Sequence, residues 1–173
     1  MKLKNIIGVI TVLTLMTDCN EKAKSGHDPL SSSEISSQDK GNELSNGPIA
    51  ILTLKAGDDM KFDLSELKVR EGQTVRIILH HTGTIPASAM GHNVVLLQKG
   101  VDIPSFAAAC AKSDAPDFDI PADRLKEVVA HTKMIGGGET AEIEFKAPPK
   151  GSYAFICSFP GHYAMMNGMF TVE

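Results

Sequence analysis

The pattern that most constrains the fold is an alternation of apolar and polar residues in short runs, separated by turns rich in glycine and proline. In residues 73–80, Val75, Ile77 and Leu79 occupy every second position, and this period of two indicates a half-buried strand. The same reasoning predicts further strands at residues 49–55, 66–70, 93–97, 139–145, 152–157 and 169–172. Many short strands joined by such turns bury their apolar side chains in a sandwich or a barrel.

One segment of this region has helical character instead. Residues 104–113 contain three consecutive alanines, and residues 121–129 have the pattern of a second short helical turn. We interpret both as parts of a short helical insertion, around residues 103–130, between two strands. The sequence therefore predicts an all-β domain over residues 48–173 that carries one helical insertion.

Composition excludes several classes of function. The 173 residues allow one domain with a tail, and 42% hydrophobic with 22% charged residues is typical of a globular protein. The net charge is −4 and no basic run is present, which argues against a nucleic-acid-binding protein. Aromatic residues make up 5% and tryptophan is absent, so the chain has few side chains on which sugars or bases could stack. Three cysteines cannot build a disulfide framework.

Residues 1–19 have the pattern of an export signal. Two lysines precede an apolar run at residues 6–17, which is too short to cross a bilayer but fits the core of a signal peptide. Cys19 follows this run in the manner of a bacterial lipoprotein signal, in which the cysteine carries the lipid. Asp18 departs from the small residue usual before that cysteine, and the alternative is a signal peptide without lipid.

Residues 20–47 are predicted to be a flexible polar tether. They contain seven serines and three glycines, no aromatic residue and no hydrophobic periodicity, so they cannot bury enough apolar surface to offset their ordering entropy. A flexible coil of this length spans roughly 30 Å root-mean-square. The expected location is the periplasm or cell envelope, with the domain held to a membrane if Cys19 is lipidated.

The residues with distinctive chemistry lie in two separate segments. One contains Cys157, His162 five positions later and Met166 four positions after that, and the other is the Met-Gly-His-Asn sequence at residues 90–93, which supplies His92. Two imidazoles and a thiolate with a weak thioether are the ligands of electron-transfer copper sites. Hard cations prefer oxygen ligands, and structural zinc sites typically use more thiolates and no methionine. The residues therefore predict a copper site.

Each of these side chains alone has an ordinary alternative role. A cysteine at the end of a strand is commonly a small buried hydrophobic residue. An isolated histidine or methionine more often packs or hydrogen-bonds than binds a metal. The cysteine, histidine and methionine on one loop, together with an upstream histidine in an exported β-rich chain, favour the metal site over these separate roles.

Three stretches resemble the azurins, the blue copper proteins of the cupredoxin (plastocyanin/azurin) family. They read MGHNVVL from Met90, VVAHTKMIGGGE from Val128 and CSFPGHYAMM from Cys157, within a similarity that covers most of residues 49–173. The resemblance implies a Greek-key β-sandwich that binds one copper ion. It also implies ligand roles, with equatorial donors His92, Cys157 and His162, an axial Met166 and a weak contact from the Gly91 carbonyl.

The resemblance also implies supporting roles around the copper ion. The backbone N–H groups of Asn93 and Phe159 would donate hydrogen bonds to the Cys157 sulfur. His81 would lie near the site, and His131 would belong to the framework. An apolar docking patch would surround His162, formed by Ile85, Pro86, Met90, Pro160 and Met165.

The implied function is single-electron transfer, with copper cycling between Cu(I) and Cu(II). Its partners would be redox proteins such as cytochromes or reductases, docked through the apolar patch, and the chain would not be an enzyme. One alternative is a copper carrier or buffer that uses the same ligands in a more exposed site. Others are a metal-free binding sandwich and, with least room in the chain, an enzyme domain such as part of a nitrite reductase.

The departures from the azurin pattern affect the stability and tuning of the site rather than its ligands. No cysteine lies between residues 20 and 109, so the disulfide usual near the start of the domain is missing. Cys110 is interpreted as a buried free thiol in the helical insertion. Val94 stands where a core tryptophan often follows the Gly-His-Asn motif.

Overall fold

The computed structural model describes residues 44–173, and the predicted signal segment and most of the predicted tether lie outside the described residues. Eight strands form in the order β1 (Ile49–Ala56), β2 (Glu66–Val69), β3 (Thr74–His81), β4 (Val95–Leu97), β5 (Val128–His131), β6 (Thr140–Lys146), β7 (Gly151–Ile156) and β8 (Asn167–Val172). Two α-helices, α1 (Ala87–Met90) and α2 (Ile103–Cys110), and two 3-10 helices, Ala122–Glu127 and His162–Ala164, join them. Among residues 44–173, no helix combines the length and apolar character needed to cross a membrane.

The strands form two sheets, which confirms the predicted all-β sandwich. One sheet has the order β1-β3-β6, with β1 parallel and β6 antiparallel to β3. The other has the order β2-β8-β7-β4-β5, with β2 parallel to β8. The alternation predicted for β3 is confirmed, because Val75, Ile77 and Leu79 are buried against the opposite sheet while the residues between them remain partly accessible.

A second, smaller core lies where α2 covers the five-stranded sheet. It consists of Val95, Leu97, Phe106, Cys110 and Ile156. Because the main core lies on the opposite face of β4, all three residues of that strand are buried. Cys110 is a free buried thiol, as predicted.

The sequence prediction missed two elements in the connecting segments. Residues 121–129 were expected to be helical throughout, but the 3-10 helix ends at Glu127, and Val128 and Val129 begin β5. Pairing with β4 supplies the backbone hydrogen bonds that make this segment a strand. The short helix α1, which lies just before the Gly-His-Asn motif, was also not anticipated.

A buried glutamine fastens the start of the domain, where the expected disulfide is missing. The Gln73 side-chain amide donates hydrogen bonds to the carbonyl oxygens of Ser45 (3.0 Å) and Gly47 (2.6 Å). Its oxygen accepts a hydrogen bond from the Arg70 N–H at 2.7 Å. A side chain with all three contacts ties the segment before β1 to the β2–β3 turn.

Candidate metal centre

Loops at one end of the sandwich bring His92, Cys157 and His162 together. Their potential ligand atoms all lie within 4.8 Å of one another. His92 follows α1, whereas Cys157 comes directly after β7 and His162 lies beyond a turn in which Gly161 adopts φ 82°. His92 and Cys157 are fully buried and His162 is 4% exposed, so the donors converge in a space shielded from water.

Met166 and Gly91 lie close to this cluster. Met166 is fully buried, and its carbonyl accepts a hydrogen bond from the Cys157 N–H at 3.0 Å, which closes the loop between β7 and β8. The Gly91 carbonyl oxygen is 3.8 Å from the Cys157 sulfur. A Cβ at Gly91 would lie 2.7 Å from the Ala87 carbonyl oxygen and 2.9 Å from the Phe159 ring, so only glycine lets the backbone pass here.

The hydrogen bonds of His92 leave one ring nitrogen directed at the cluster without a partner. Its Nε2 donates to the Gly57 carbonyl oxygen at 2.8 Å, which fixes the tautomer and leaves Nδ1 as an acceptor. That Nδ1 is buried and has no hydrogen-bond partner. An unpaired buried polar atom is costly unless something binds it, and a neutral imidazole nitrogen beside a thiol and a second imidazole fits a copper ion.

Burial holds the donor groups in their neutral forms. Burial raises the pKa of the Cys157 thiol to about 11, and hydrogen bonds from the backbone N–H groups of Asn93 and Phe159 partly oppose this rise. Burial also lowers the pKa of His162 to about 4 and lowers the pKa of His92 below its ordinary value. Both imidazoles are therefore already in the form that binds metal, whereas the thiol must lose its proton on binding.

A side-chain pair that the sequence analysis missed joins the two ligand-bearing segments. The Asn93 amide donates to the Ser158 hydroxyl at 2.9 Å, and its oxygen accepts the Ser158 N–H at 2.8 Å. Both residues are buried. Nothing in the spacing of the motifs marks Ser158, or the Gly57 carbonyl, as a contributor, since both act through contacts between distant segments.

The two remaining histidines of the sequence analysis have different surroundings. The His81 ring stacks on the His92 ring with 4.3 Å between centroids. Its Nδ1 accepts the Gly83 N–H at 3.1 Å, so Nε2 carries the proton and donates to the Met90 carbonyl oxygen at 2.8 Å. His131 is exposed on β5 and is not part of the three-residue cluster.

Phe118, in the helical insertion, packs against the loop that carries Cys157 and His162. The sequence did not predict this contact. Its ring makes an edge-on contact with Phe159 at 5.1 Å, and Phe159 in turn lies 4.5 Å from the His162 ring. The predicted docking residues differ in exposure. Pro86 and Met165 are exposed, the latter by 55%, whereas Ile85, Met90 and Pro160 are half-buried.

The comparisons with known proteins all indicate the same protein family. Residues 49–173 match the model of the copper binding proteins of the plastocyanin/azurin family. The chain is 40% identical over 124 residues to "Outer membrane protein H.8" of Neisseria meningitidis serogroup B, covering 69% of this chain and 66% of that protein. It therefore spans slightly less than two thirds of the length of this relative.

Two further similarities cover nearly the whole of the other protein. The chain is 38% identical over 130 residues to "Azurin" of Pseudomonas fluorescens biotype A, covering 70% of this chain and 97% of the azurin. The reduced auracyanin of Roseiflexus castenholzii has a similar structure, with a TM-score of 0.64, 34% identity and coverage of 72% of this chain and 97% of the auracyanin. Together with the donor set, these matches confirm the predicted cofactor, a single copper ion. The chain belongs to the plastocyanin/azurin family of copper-binding proteins.

Proposed function

We propose that this domain passes single electrons between redox proteins of the cell envelope, as a type 1 (blue) copper protein. The observation that carries the proposal is the buried cluster of His92, Cys157 and His162, in which the orphaned Nδ1 of His92 faces the other donors. Bound copper supplies the one-electron chemistry, by changing between Cu(I) and Cu(II). An intense blue colour in the copper-loaded protein supports this function, and a colourless Cu(II) protein contradicts it.

The chain's own contribution is to hold its donors in place. His92, Cys157 and His162 would hold the copper ion, with a weaker contribution from the Met166 thioether and a weak contact from the Gly91 carbonyl. The paired hydrogen bonds of Asn93 with Ser158 lock the two ligand-bearing segments together. Groups that are held by such outer contacts need little rearrangement when the charge at the site changes.

The copper-carrier alternative requires donors that solvent and a partner can reach. The observed exposures of 0% for His92 and Cys157 and 4% for His162 favour electron transfer over metal exchange. A site closed by four protein donors would also support the proposal that the domain is not an enzyme, because a catalytic metal keeps an open position for substrate. A slow release of copper combined with reversible oxidation and reduction would separate electron transfer from the carrier role.

We also propose that redox partners, such as cytochromes or reductases, dock on the patch formed by Ile85, Pro86, Met90, Pro160 and Met165. Met165 supports this proposal most directly. It lies between His162 and Met166 and is exposed by 55%, so it offers apolar surface to a partner. Small, weak interfaces suit partners that must separate after each transfer.

Met165→Lys is expected to slow electron self-exchange, because it places like charges across the contact between two copies of the domain. The effect should shrink at high salt. The blue spectrum should be nearly unchanged, since Met165 is a neighbour of Met166 and not the proposed ligand. Stopped-flow or NMR exchange rates at low and high salt test this. Equal rates for variant and parent at both salt levels would move the docking face elsewhere.

The proposed location is the cell envelope, with the domain attached to a membrane through a lipid on Cys19, which lies outside the described residues. The similarity to a protein named "Outer membrane protein H.8" supports an envelope location. The strand β1 ends at Ala56, beside the Gly57 carbonyl that contacts His92, and begins at Ile49. The tether therefore joins the domain at the other end of β1, about 25 Å from the metal centre.

Cys19→Ser is expected to move the protein from the membrane fraction to the soluble fraction, because lipidation needs the thiol. Fractionation of cells that express the parent and the variant, with immunoblotting of both fractions, measures this. A variant that stays with the membrane would indicate an uncleaved signal segment or a bound partner instead of a lipid.

A further inference from the structure

Two separate backbone segments hold the ring of His92. The turn at residues 57–60 supplies the Gly57 carbonyl, which accepts the ring N–H at 2.8 Å. The end of β3 supplies His81, whose ring stacks on His92 with centroids 4.3 Å apart and planes 16° apart. The orientation of His92 therefore depends on how these two segments are placed relative to each other.

The ends of β1 and β3 pair at Ala56 and His81, and the Thr82 N–H donates to the Ala56 carbonyl oxygen at 2.8 Å. Beyond this pairing, the carboxylate of Asp58 joins the turn after β1 to the segment after β3. It accepts hydrogen bonds from the Thr84 N–H at 2.9 Å, from the Thr84 hydroxyl at 3.4 Å and from the Ile85 N–H at 3.4 Å. The Thr84 N–H is the main reason why the pKa of Asp58 lies below its ordinary value. Among residues 44–173, the ion pairs are Arg76–Glu144 and Arg124–Glu127, so Asp58 is held by these hydrogen bonds from Thr84 and Ile85 rather than by an ion pair.

Gly83 makes room for this carboxylate. A Cβ added at Gly83 would collide with the Asp58 side chain. The Gly83 N–H donates to His81 Nδ1 at 3.1 Å and so fixes the tautomer of the ring that stacks on His92. The Asp58 carboxylate thus lies against Gly83, which orients His81. Asp58 also directly follows Gly57, whose carbonyl accepts the hydrogen bond from His92.

We propose that Asp58 is a positioning residue for the metal ligand His92. Its carboxylate fixes the turn that supplies the Gly57 carbonyl to Thr84 and Ile85, just beyond His81 and Gly83, so both contacts on the His92 ring are set together. The inference rests on the proposed function only in taking His92 as a copper ligand. Outer contacts of this kind typically change metal affinity by about 10- to 100-fold when they are lost.

The test compares Asp58→Ala, Asp58→Asn and the control Asp59→Ala. Asp59 is the neighbouring exposed carboxylate of the same turn, and its loss removes the same charge. In the metal-free protein, Asp58→Ala should speed hydrogen exchange of the Thr84 amide by about tenfold, because that N–H loses a charged acceptor. In the copper-loaded protein, it should speed copper release by about tenfold and change the copper hyperfine splitting in the EPR spectrum.

The conservative variant separates positioning from charge. Asp58→Asn keeps an oxygen that can accept the Thr84 N–H, so it should restore most of the slow copper release and the parental EPR spectrum. The reduction potential should move in Asp58→Ala by more than it moves in Asp59→Ala. If Asp58→Ala matches Asp59→Ala in copper release, EPR spectrum and potential, the proposal is wrong, even if the Thr84 amide exchanges faster.

Gly83→Ala tests the same contact in a chain that retains the carboxylate. The new methyl group should displace Asp58 and reproduce the faster copper release, and it should add little in the Asp58→Ala background, because the two changes then disrupt one contact. If the effects of Gly83→Ala and Asp58→Ala on copper release are fully additive, the proposal is wrong. If Asp58→Ala does not fold, copper release from Gly83→Ala alone tests the proposal. A parent protein that is not blue would contradict the proposed function instead, while amide exchange would still report on the Asp58 contact.

Discussion

Cys157→Ser is expected to abolish the intense blue absorption of the copper-loaded protein, because that colour requires a thiolate bound to copper. The Cys157 sulfur lies 3.8 Å from His162 Nδ1 and belongs to the cluster whose ligand atoms lie within 4.8 Å of one another. A serine hydroxyl remains protonated at neutral pH and is a poor ligand for copper. The visible spectrum of the Cu(II) form, recorded at equal protein and copper concentrations, measures the effect.

The chain contains a matched control for this substitution. Cys110 is also free and buried, and burial raises the pKa of its thiol to about 11, as it does for Cys157. The two thiols differ in their neighbours, because Cys110 lies among the apolar residues of the smaller core. Cys110→Ser should keep the full colour. A blue Cys157→Ser protein, or a colourless Cys110→Ser protein, would contradict the ligand assignment.

The sequence predicted that Cys157 and His162 lie close together because both are on one short loop. Cys157 and His162 are five residues apart around a turn that Gly161 makes, so their proximity follows from local geometry. The contacts that orient the donors were not predictable in this way. The Gly57 carbonyl is a backbone atom 35 positions from His92, and Ser158 meets Asn93 across 65 positions.

The strands were predicted well where one face is buried and the other is exposed, as in β3. Where α2 and the main core cover both faces of β4, all three residues are buried and no alternation remains to be read. The strand β5 is defined by its pairing with β4, a long-range contact that overrides the local helical pattern of residues 121–129. The contact of Phe118 with Phe159 is likewise set by the path of the insertion and not by any local pattern.

A substitution in the smaller core should have the opposite effect to Cys157→Ser. We expect a large loss of stability without a loss of the blue colour. Phe106 on α2 is fully buried among Val95, Leu97, Cys110 and Ile156. Phe106→Ala should lower the free energy of unfolding by about 3–5 kcal/mol, because it removes a buried ring and leaves a cavity. That is a large part of the roughly 5–15 kcal/mol that holds a typical domain folded.

Urea unfolding of the metal-free protein measures this change, with Phe106→Leu as the control, which should cost clearly less than Phe106→Ala because it leaves a smaller cavity. The blue spectrum of Phe106→Ala should match the parent below its unfolding transition, because Phe106 and Cys157 belong to different cores. A cost below about 1 kcal/mol would mean that α2 does not support the five-stranded sheet. A changed spectrum in the folded variant would mean that strain passes from Ile156 to the adjacent Cys157, and that the insertion helps to set the geometry of the copper site.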